Sequence, residues 1–142
     1  MFKAFTASSV QGPAGRLHAL CGGQGAPLLL LHGHPQSHFM WHAVAENLAR
    51  SFTVVLMDLR GYGDATIDLV HDRADVASGV RLAQPLRVLR GEHGVVGKCF
   101  DVLELWRERA SNVSGLSLPC GHYIAEEAPE LLMGEVHHFF RD

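Results

Sequence analysis

Short apolar runs, each followed by a turn-forming segment, recur along the chain. Four of these runs are continuous, which is typical of strands that are buried on both faces in a parallel sheet. The predicted buried strands are Pro27–Leu31, Phe52–Leu59, Pro85–Leu89 and Val113–Leu118. Two more strands, Phe2–Val10 and Arg16–Cys21, are predicted on either side of a turn at residues 12–15.

Apolar residues at helical spacing predict helices between the strands. We expect Ser37 to cap a helix that runs to about Ala49, because its apolar residues share one stripe. Further helices are predicted at Phe100–Ala110 and Glu126–Phe140, and a loop with a helix at Thr66–Leu82. The side chains expected to face inward are Met40, Trp41, Val44 and Leu48 in the first helix and Val102, Leu103 and Trp106 in the second. Strands that alternate with helices predict an α/β fold with a mostly parallel sheet and flanking helices.

Composition excludes several classes of function. The 142 residues, 47% of them hydrophobic, suit one globular domain. The net charge is -3 without any basic run, so we expect neither a nucleic-acid partner nor a membrane partner. The longest apolar run, Ala26–Leu31, is too short to cross a bilayer. Cys21, Cys99 and Cys120 form no CxxC pair, which indicates reduced thiols and a cytoplasmic location.

Three loops that follow predicted strands carry the candidate chemistry. His32-Gly33-His34-Pro35 follows the first buried strand, and the segment DLRGYG begins at Asp58, 26 residues after His32. Gly121-His122-Tyr123 follows the last strand and precedes the final helix. Ligands and active sites of parallel α/β sheets lie at the carboxyl ends of the strands, where these loops are expected.

These segments, together with VLRGEHGVVGKCFDVLELWRERASNV and LPCGHYIAEEAPE, resemble the α/β-hydrolase family and, within it, the haloacetate (fluoroacetate) dehalogenases. The resemblance covers residues 2–64 and 65–142, so residues 1–142 would form one truncated hydrolase domain with its junction near 63–66. It implies that the backbone N–H of His34 belongs to the oxyanion hole and that His122 occupies the general-base position. It implies no cofactor and no metal.

The family has a long central stretch that has no counterpart between the two blocks. That stretch carries the nucleophilic Asp, the adjacent Arg, the acid partner of the histidine, and the cap that grips the carboxylate and halide. The family's Asp displaces halide, and a water activated by histidine then hydrolyses the resulting ester. The resemblance therefore implies a haloacetate dehalogenase-like hydrolase, with a haloacetate as its small-molecule substrate, that is inactive as this chain. The alternative is a non-catalytic fragment or binding module that retains part of the fold.

Replacements for the missing groups are poor. Asp64, Asp68 and Asp72 lie near the junction, but no nucleophile elbow surrounds them, and solvated helix charges are the simpler interpretation. Glu92 lies in the loop where many hydrolases place the acid partner of the histidine, and it could fill that role only poorly.

The loop histidines allow a second interpretation. His32, His34, His93 and His122 all follow predicted strands, and such loops converge, so a metal site is conceivable. The sequence lacks an HExxH motif and a Cys pair to assist, so ordinary turn histidines remain the simpler interpretation.

Loss of the central block would leave two apolar strand edges uncovered. We expect the edges of Pro27–Leu31 and Pro85–Leu89 to pair with each other, which would give the strand order of a flavodoxin-like sheet with a small-anion site at its switch point. Edges left unpaired would instead favour a homo-oligomer.

Overall fold

The computed structural model describes residues 2–12, 15–33, 36–59, 61–63, 74 and 76–141. These residues form two compact units, which span Met1–Asp72 and Arg73–Asp142. The strands of the first unit are β1 (Thr6–Gly12), β2 (Gly15–Gly23), β3 (Ala26–Leu31) and β4 (Phe52–Met57). The helices there are a 3-10 helix (His38–Ala43) and α1 (Ala45–Leu48). No helix among the described residues has the length and apolar character needed to cross a membrane.

The sheet of the first unit has the strand order β1-β2-β4-β3. Strands β1 and β2 form an antiparallel hairpin, and β2 also pairs antiparallel with β4. Strand β4 pairs in parallel with β3 on its other side. Strands β2, β3 and β4 were predicted within two residues of their observed bounds, whereas β1 begins four residues later than the predicted Phe2–Val10.

The continuous apolar run of β3 predicted burial on both faces. In the structure only one face of the strand is buried. Leu28 and Leu30 are buried, whereas Leu29 and Leu31 remain 52% and 44% exposed. The strand also lies at the edge of its sheet within the described residues. A continuous apolar run thus does not by itself prove that both faces are covered.

The predicted helix from Ser37 to Ala49 forms as two short pieces. Ser37 caps the first piece as expected, since its Oγ accepts a bond of 3.4 Å from the Phe39 N–H. The 3-10 helix ends at Ala43, and α1 follows after Val44. Val44, Ala45 and Leu48 are fully buried, so the apolar stripe still points into the core.

The second unit contains β5 (Leu82–Gly91) and β6 (Ala110–Leu118), which pair in parallel. Four helices accompany them within residues 82–141: α2 (Val96–Cys99), α3 (Val102–Arg107), α4 (Ile124–Glu127) and α5 (Pro129–Phe139). Strand β5 begins three residues earlier than predicted, at Leu82, and its register shifts between Leu82 and Pro85. Residues 64–73, which contain most of the predicted loop and helix, lie outside the described residues.

Two helix predictions in this unit need correction. The closing helix is interrupted between α4 and α5, because Pro129 starts a new helix and disfavours helical geometry at Ala128. Trp106 was expected to face inward, yet its side chain is 42% exposed. The helix that carries Trp106 is short and buries no residue fully.

The predicted pairing of the two uncovered edges is wrong. Within the described residues, β3 pairs with β4 and β5 pairs with β6, in two separate sheets. Leu29–Leu31 and Arg87–Leu89 are therefore not ladder neighbours, and the small-anion site that depended on their pairing has no support.

Candidate functional site

The first candidate site forms around a buried carboxylate at the end of β4. Ala19 of β2 lies opposite Met57 of β4, and the next pair in this register brings His18 opposite Asp58. A backbone hydrogen bond of 3.1 Å from the Asp58 N–H to the His18 carbonyl continues the ladder there. Since cross-strand partners point to the same face of a sheet, the two side chains are neighbours.

His38 contacts the Asp58 carboxylate through both its backbone and its ring. Its backbone N–H donates to Oδ1 at 2.7 Å, and its ring Nδ1 lies 2.9 Å from both Oδ1 and Oδ2. Asp58 is fully buried and His38 is 5% exposed. A buried carboxylate is costly unless such donors compensate for its lost hydration, so this contact fixes the start of the 3-10 helix on the end of β4.

His32 holds the first motif loop in place. Its Nε2 accepts a bond of 2.9 Å from the Leu59 N–H, and its Nδ1 lies 3.0 Å from the Gly33 carbonyl. An imidazole that accepts at Nε2 and donates at Nδ1 is the neutral tautomer. His32 Nε2 also lies 3.7 Å from Asp58 Oδ1. The His32 side chain is therefore a structural tie between the two motif loops.

Gly63 closes the site from the second motif. Its φ of +54° lies in the left-handed region, which favours glycine. A Cβ at this position would collide with the Asp58 carboxylate. Both the backbone conformation and the close approach explain why the DLRGYG segment ends in glycine.

The second candidate site is the loop between β6 and α4, which carries His122. Glu127 organises this loop, because its Oε2 accepts from the Gly121 N–H at 2.6 Å and its Oε1 accepts from the Tyr123 N–H at 3.0 Å. The His122 ring packs edge-on against Tyr123, with ring centroids 5.3 Å apart, and the residue is exposed. The imidazole of His122 makes no hydrogen bond to any carboxylate among the described residues of this unit.

The loop after β5 runs alongside the His122 loop. The N–H groups of Glu92 and His93 donate to the carbonyls of Leu118 and Cys120, at 2.8 and 3.0 Å. A Cβ on Gly91 would collide with the carbonyl of Gly121, so only glycine permits this approach. Burial, and to a smaller extent the nearby charge of Glu127, raises the pKa of the Cys120 thiol above its ordinary value. Cys120 is therefore a poor nucleophile at neutral pH.

Several predicted site residues lie outside the described residues. His34, whose N–H was assigned to the oxyanion hole, is outside the described residues, as are Asp64, Asp68 and Asp72. The metal interpretation had grouped four loop histidines. Within the described part of the chain, the group close enough to share an ion is instead His18, His38 and Asp58. Sequence reasoning missed this group because its members are far apart in the chain and only the pairing of β2 with β4 brings His18 to Asp58.

Comparison with known sequences supports the hydrolase fold. A family model described as alpha/beta hydrolase fold matches residues 26–73. A soluble epoxide hydrolase from Corynebacterium sp. (strain C12) is 45% identical over 67 residues, which are 46% of this chain and 23% of that protein. A fluoroacetate dehalogenase from Burkholderia sp is 46% identical over 66 residues, which are 46% of this chain and 22% of that protein. The match thus spans less than a quarter of each relative's length.

Solved structures resemble the chain over a wider range. The candidate alpha/beta hydrolase ALR0039 from Nostoc sp PCC 7120 has a TM-score of 0.78 and 25% identity, covering 98% of this chain and 99% of its own. A candidate epoxide hydrolase from Pseudomonas aeruginosa has a TM-score of 0.75 and 18% identity, covering 99% and 97%. At such identity the second likeness concerns the fold alone. The chain has the α/β-hydrolase fold.

Proposed function

We propose that this chain is a haloacetate dehalogenase-like hydrolase-fold protein that does not itself cleave carbon–halogen bonds. The similarity to the fluoroacetate dehalogenase over 66 residues supports the descent. The absence from the sequence of a GHDRG-type nucleophile turn supports the loss of activity. We further propose that residues 1–142 are a single truncated domain, joined near residues 63–66, with a small-molecule haloacetate as the ancestral substrate.

The observation that carries this proposal is that no carboxylate among the described residues is hydrogen-bonded to the His122 ring. A histidine acts as general base in this chemistry when a carboxylate holds its ring in the correct tautomer and orientation. Glu127, at the end of the helix that follows the His122 loop, accepts two backbone N–H groups of that loop instead. No hydrogen bond joins Glu92 to His122 in the described residues, which gives no support to Glu92 as the replacement acid.

The remaining parts of the machinery keep their proposed roles. His34 would supply its backbone N–H to an oxyanion hole, and His122 would stand at the general-base position. The three cysteines are free, which fits a cytoplasmic protein. The exposed Leu29 and Leu31 on edge strand β3 favour self-association of the chain.

The test is halide release from fluoroacetate and chloroacetate, followed with an ion-selective electrode. We expect the purified chain to release no more halide than its His122→Ala variant. His138→Ala, which removes an exposed histidine on α5, is the matched control, and an intact fluoroacetate dehalogenase shows that the assay works. Halide release that His122→Ala abolishes and His138→Ala leaves intact would overturn the proposal.

A second candidate function is a non-catalytic binding module. The small share of each relative that the chain matches favours it. Isothermal titration with fluoroacetate separates the two possibilities, since a module that has kept a carboxylate site would bind without turnover. If there is neither binding nor halide release, the module cannot be one that recognises haloacetates.

A further inference from the structure

We propose that His18, His38 and Asp58 form a binding site for a divalent transition-metal ion of the zinc class. Each residue offers one ligand atom, and the three atoms lie within 4.8 Å of one another. Two imidazoles and a carboxylate are a ligand set that suits Zn²⁺ and Co²⁺. The site lies wholly within the first unit and is distinct from the four loop histidines grouped in the sequence.

Three separate elements deliver the ligands, and each is fixed by other contacts. His18 is on β2, where the antiparallel register places it opposite Asp58. His38 opens the 3-10 helix, whose first turn is capped by Ser37. Because sheet register and a helix cap already determine these positions, the ligand atoms are brought together without the help of an ion.

The distances require a small adjustment. An ion with bonds of about 2.0–2.1 Å in tetrahedral geometry keeps its ligand atoms roughly 3.3–3.4 Å apart. His38 Nδ1 lies 2.9 Å from the Asp58 oxygens, so the two groups must separate by a few tenths of an ångström. His38 would bind through Nδ1 with its proton on Nε2, so a neutral ring need release no proton.

The surroundings of the ligands resemble a supporting shell. The His38 N–H donates to Asp58 Oδ1 at 2.7 Å, which holds the carboxylate in position beside the two rings. Gly63 packs against the same carboxylate, and the Phe2 ring lies 5.9 Å from the His38 ring. Hydrogen bonds and apolar neighbours of this kind orient ligands and tune their affinity.

Access to the site is through His18. Its ring lies 5.4 Å from the His38 ring, and the residue is half-buried, whereas His38 and Asp58 are buried. The ring of His18 makes no hydrogen bond to another described residue, and the residue keeps part of its surface open to water. An ion can therefore reach the cluster, and three protein ligands leave a coordination position for water.

The experiment is a Co²⁺ titration of the chelator-treated full chain, followed by visible absorption and then by displacement with Zn²⁺. We expect one ion per chain, a d–d spectrum of a four- or five-coordinate site, and a higher melting temperature with metal. His18→Ala should weaken binding by about 10–100-fold or more, because it removes a ligand outright. His93→Ala, which removes an exposed histidine of the other unit, should change nothing.

Two further variants keep the result decisive. His18→Gln preserves the size of the side chain if His18→Ala does not fold, and circular dichroism without metal checks the fold of each. Asp58→Asn retains one oxygen that can accept from His38 but removes the charge that an ion needs. Absence of Co²⁺ binding, or binding that survives both His18 variants, would show that the cluster is a hydrogen-bonded tie and overturn the proposal. This result is independent of any dehalogenase assay.

Discussion

The two units bury their apolar side chains to different degrees. In the first unit, β4 lies between β2 and β3, and Val54 and Leu56 are fully shielded from water. The second unit has a sheet of two strands and leaves large side chains such as Phe100, Leu105 and Trp106 exposed. A two-stranded sheet with short helices has too little apolar area to form an extensive core. Most of the burial that stabilises this chain therefore comes from its N-terminal half.

The units also differ in how a carboxylate orders a loop. Asp58 does so from full burial, with His38 as its partner, whereas Glu127 does so at an exposed position by accepting two backbone N–H groups. Loss of the partner of a buried charge lowers the free energy of unfolding much more than loss of the partner of an exposed charge. Two loops that are each held by a carboxylate can therefore differ widely in how much that carboxylate contributes to stability.

The largest expected effect comes from Asp58→Ala in the first unit. It should lower the free energy of unfolding by about 3–5 kcal/mol, because it leaves the donors of His38 buried without their acceptor. The measurement is urea unfolding followed by Trp41 fluorescence in a Trp106→Phe background.

The matched control is Asp101→Ala in the second unit. Asp101 caps α3 by accepting from the Glu104 N–H at 3.1 Å, and loss of such a cap costs about 1 kcal/mol. Equal costs for the two substitutions would contradict the contrast between the units.

A smaller effect is expected from Gly91→Ala in the second unit. The new Cβ would collide with the Gly121 carbonyl, so the His122 loop must move, at a cost of about 1–3 kcal/mol. Unfolding followed by Trp106 fluorescence in a Trp41→Phe background measures it. Gly134→Ala in α5 is the control, because its Cβ meets nothing within 4 Å and should slightly stabilise the helix. Indistinguishable stabilities of the two variants would mean that the two loops are not in contact.

The smallest effect is expected from Glu127→Gln, which removes the charge and keeps one of the two oxygens that accept from the loop N–H groups. Removing the charge should lower the pKa of Cys120 toward its ordinary value, although burial, the larger cause of the shift, keeps the pKa raised. Alkylation of the Cys120 peptide, followed by mass spectrometry as a function of pH, should therefore begin at lower pH. Glu126→Gln, an exposed neighbour with the same change of charge, should leave the profile in place.

The sign of the linked stability follows from the direction of this shift. A thiol with a raised pKa holds its proton more tightly in the folded state than in the unfolded state. Its contribution to stability is present below the pKa of the unfolded thiol and is lost as pH rises through the folded pKa. The wild-type protein should therefore lose more stability than Glu127→Gln over that alkaline window. The opposite order would show that Glu127 does not act on Cys120 through its charge.

The sequence was sufficient for features that depend on neighbouring residues. The apolar runs before His32 and Asp58 located β3 and β4, and the Ser37 cap was identified from its side chain alone. The break before Pro129 was missed although proline marks it plainly.

Features that depend on distant residues were not predictable in the same way. The pairing of β3 with β5 was inferred from the edges that each would leave open, but edge exposure does not determine which strands meet. The contact between His38 and Asp58 joins residues 20 positions apart, and it depends on where a helix start packs against the end of a strand. Hydrophobic periodicity in the sequence does not predict a contact of this kind between distant residues.

The position of β4 in its sheet has a consequence for synthesis on the ribosome. Strands β2 and β3 both emerge before β4 and do not pair with each other, so until Phe52–Met57 is made β2 has only β1 as a partner and β3 has none within this sheet. Until that segment leaves the exit tunnel, the nascent chain carries a hairpin and a separate apolar strand with open edges. The last strand of the first unit to be translated is thus the one that completes its sheet. A ribosome that stalls before Phe52 therefore exposes a nascent chain with open strand edges, which is prone to aggregation.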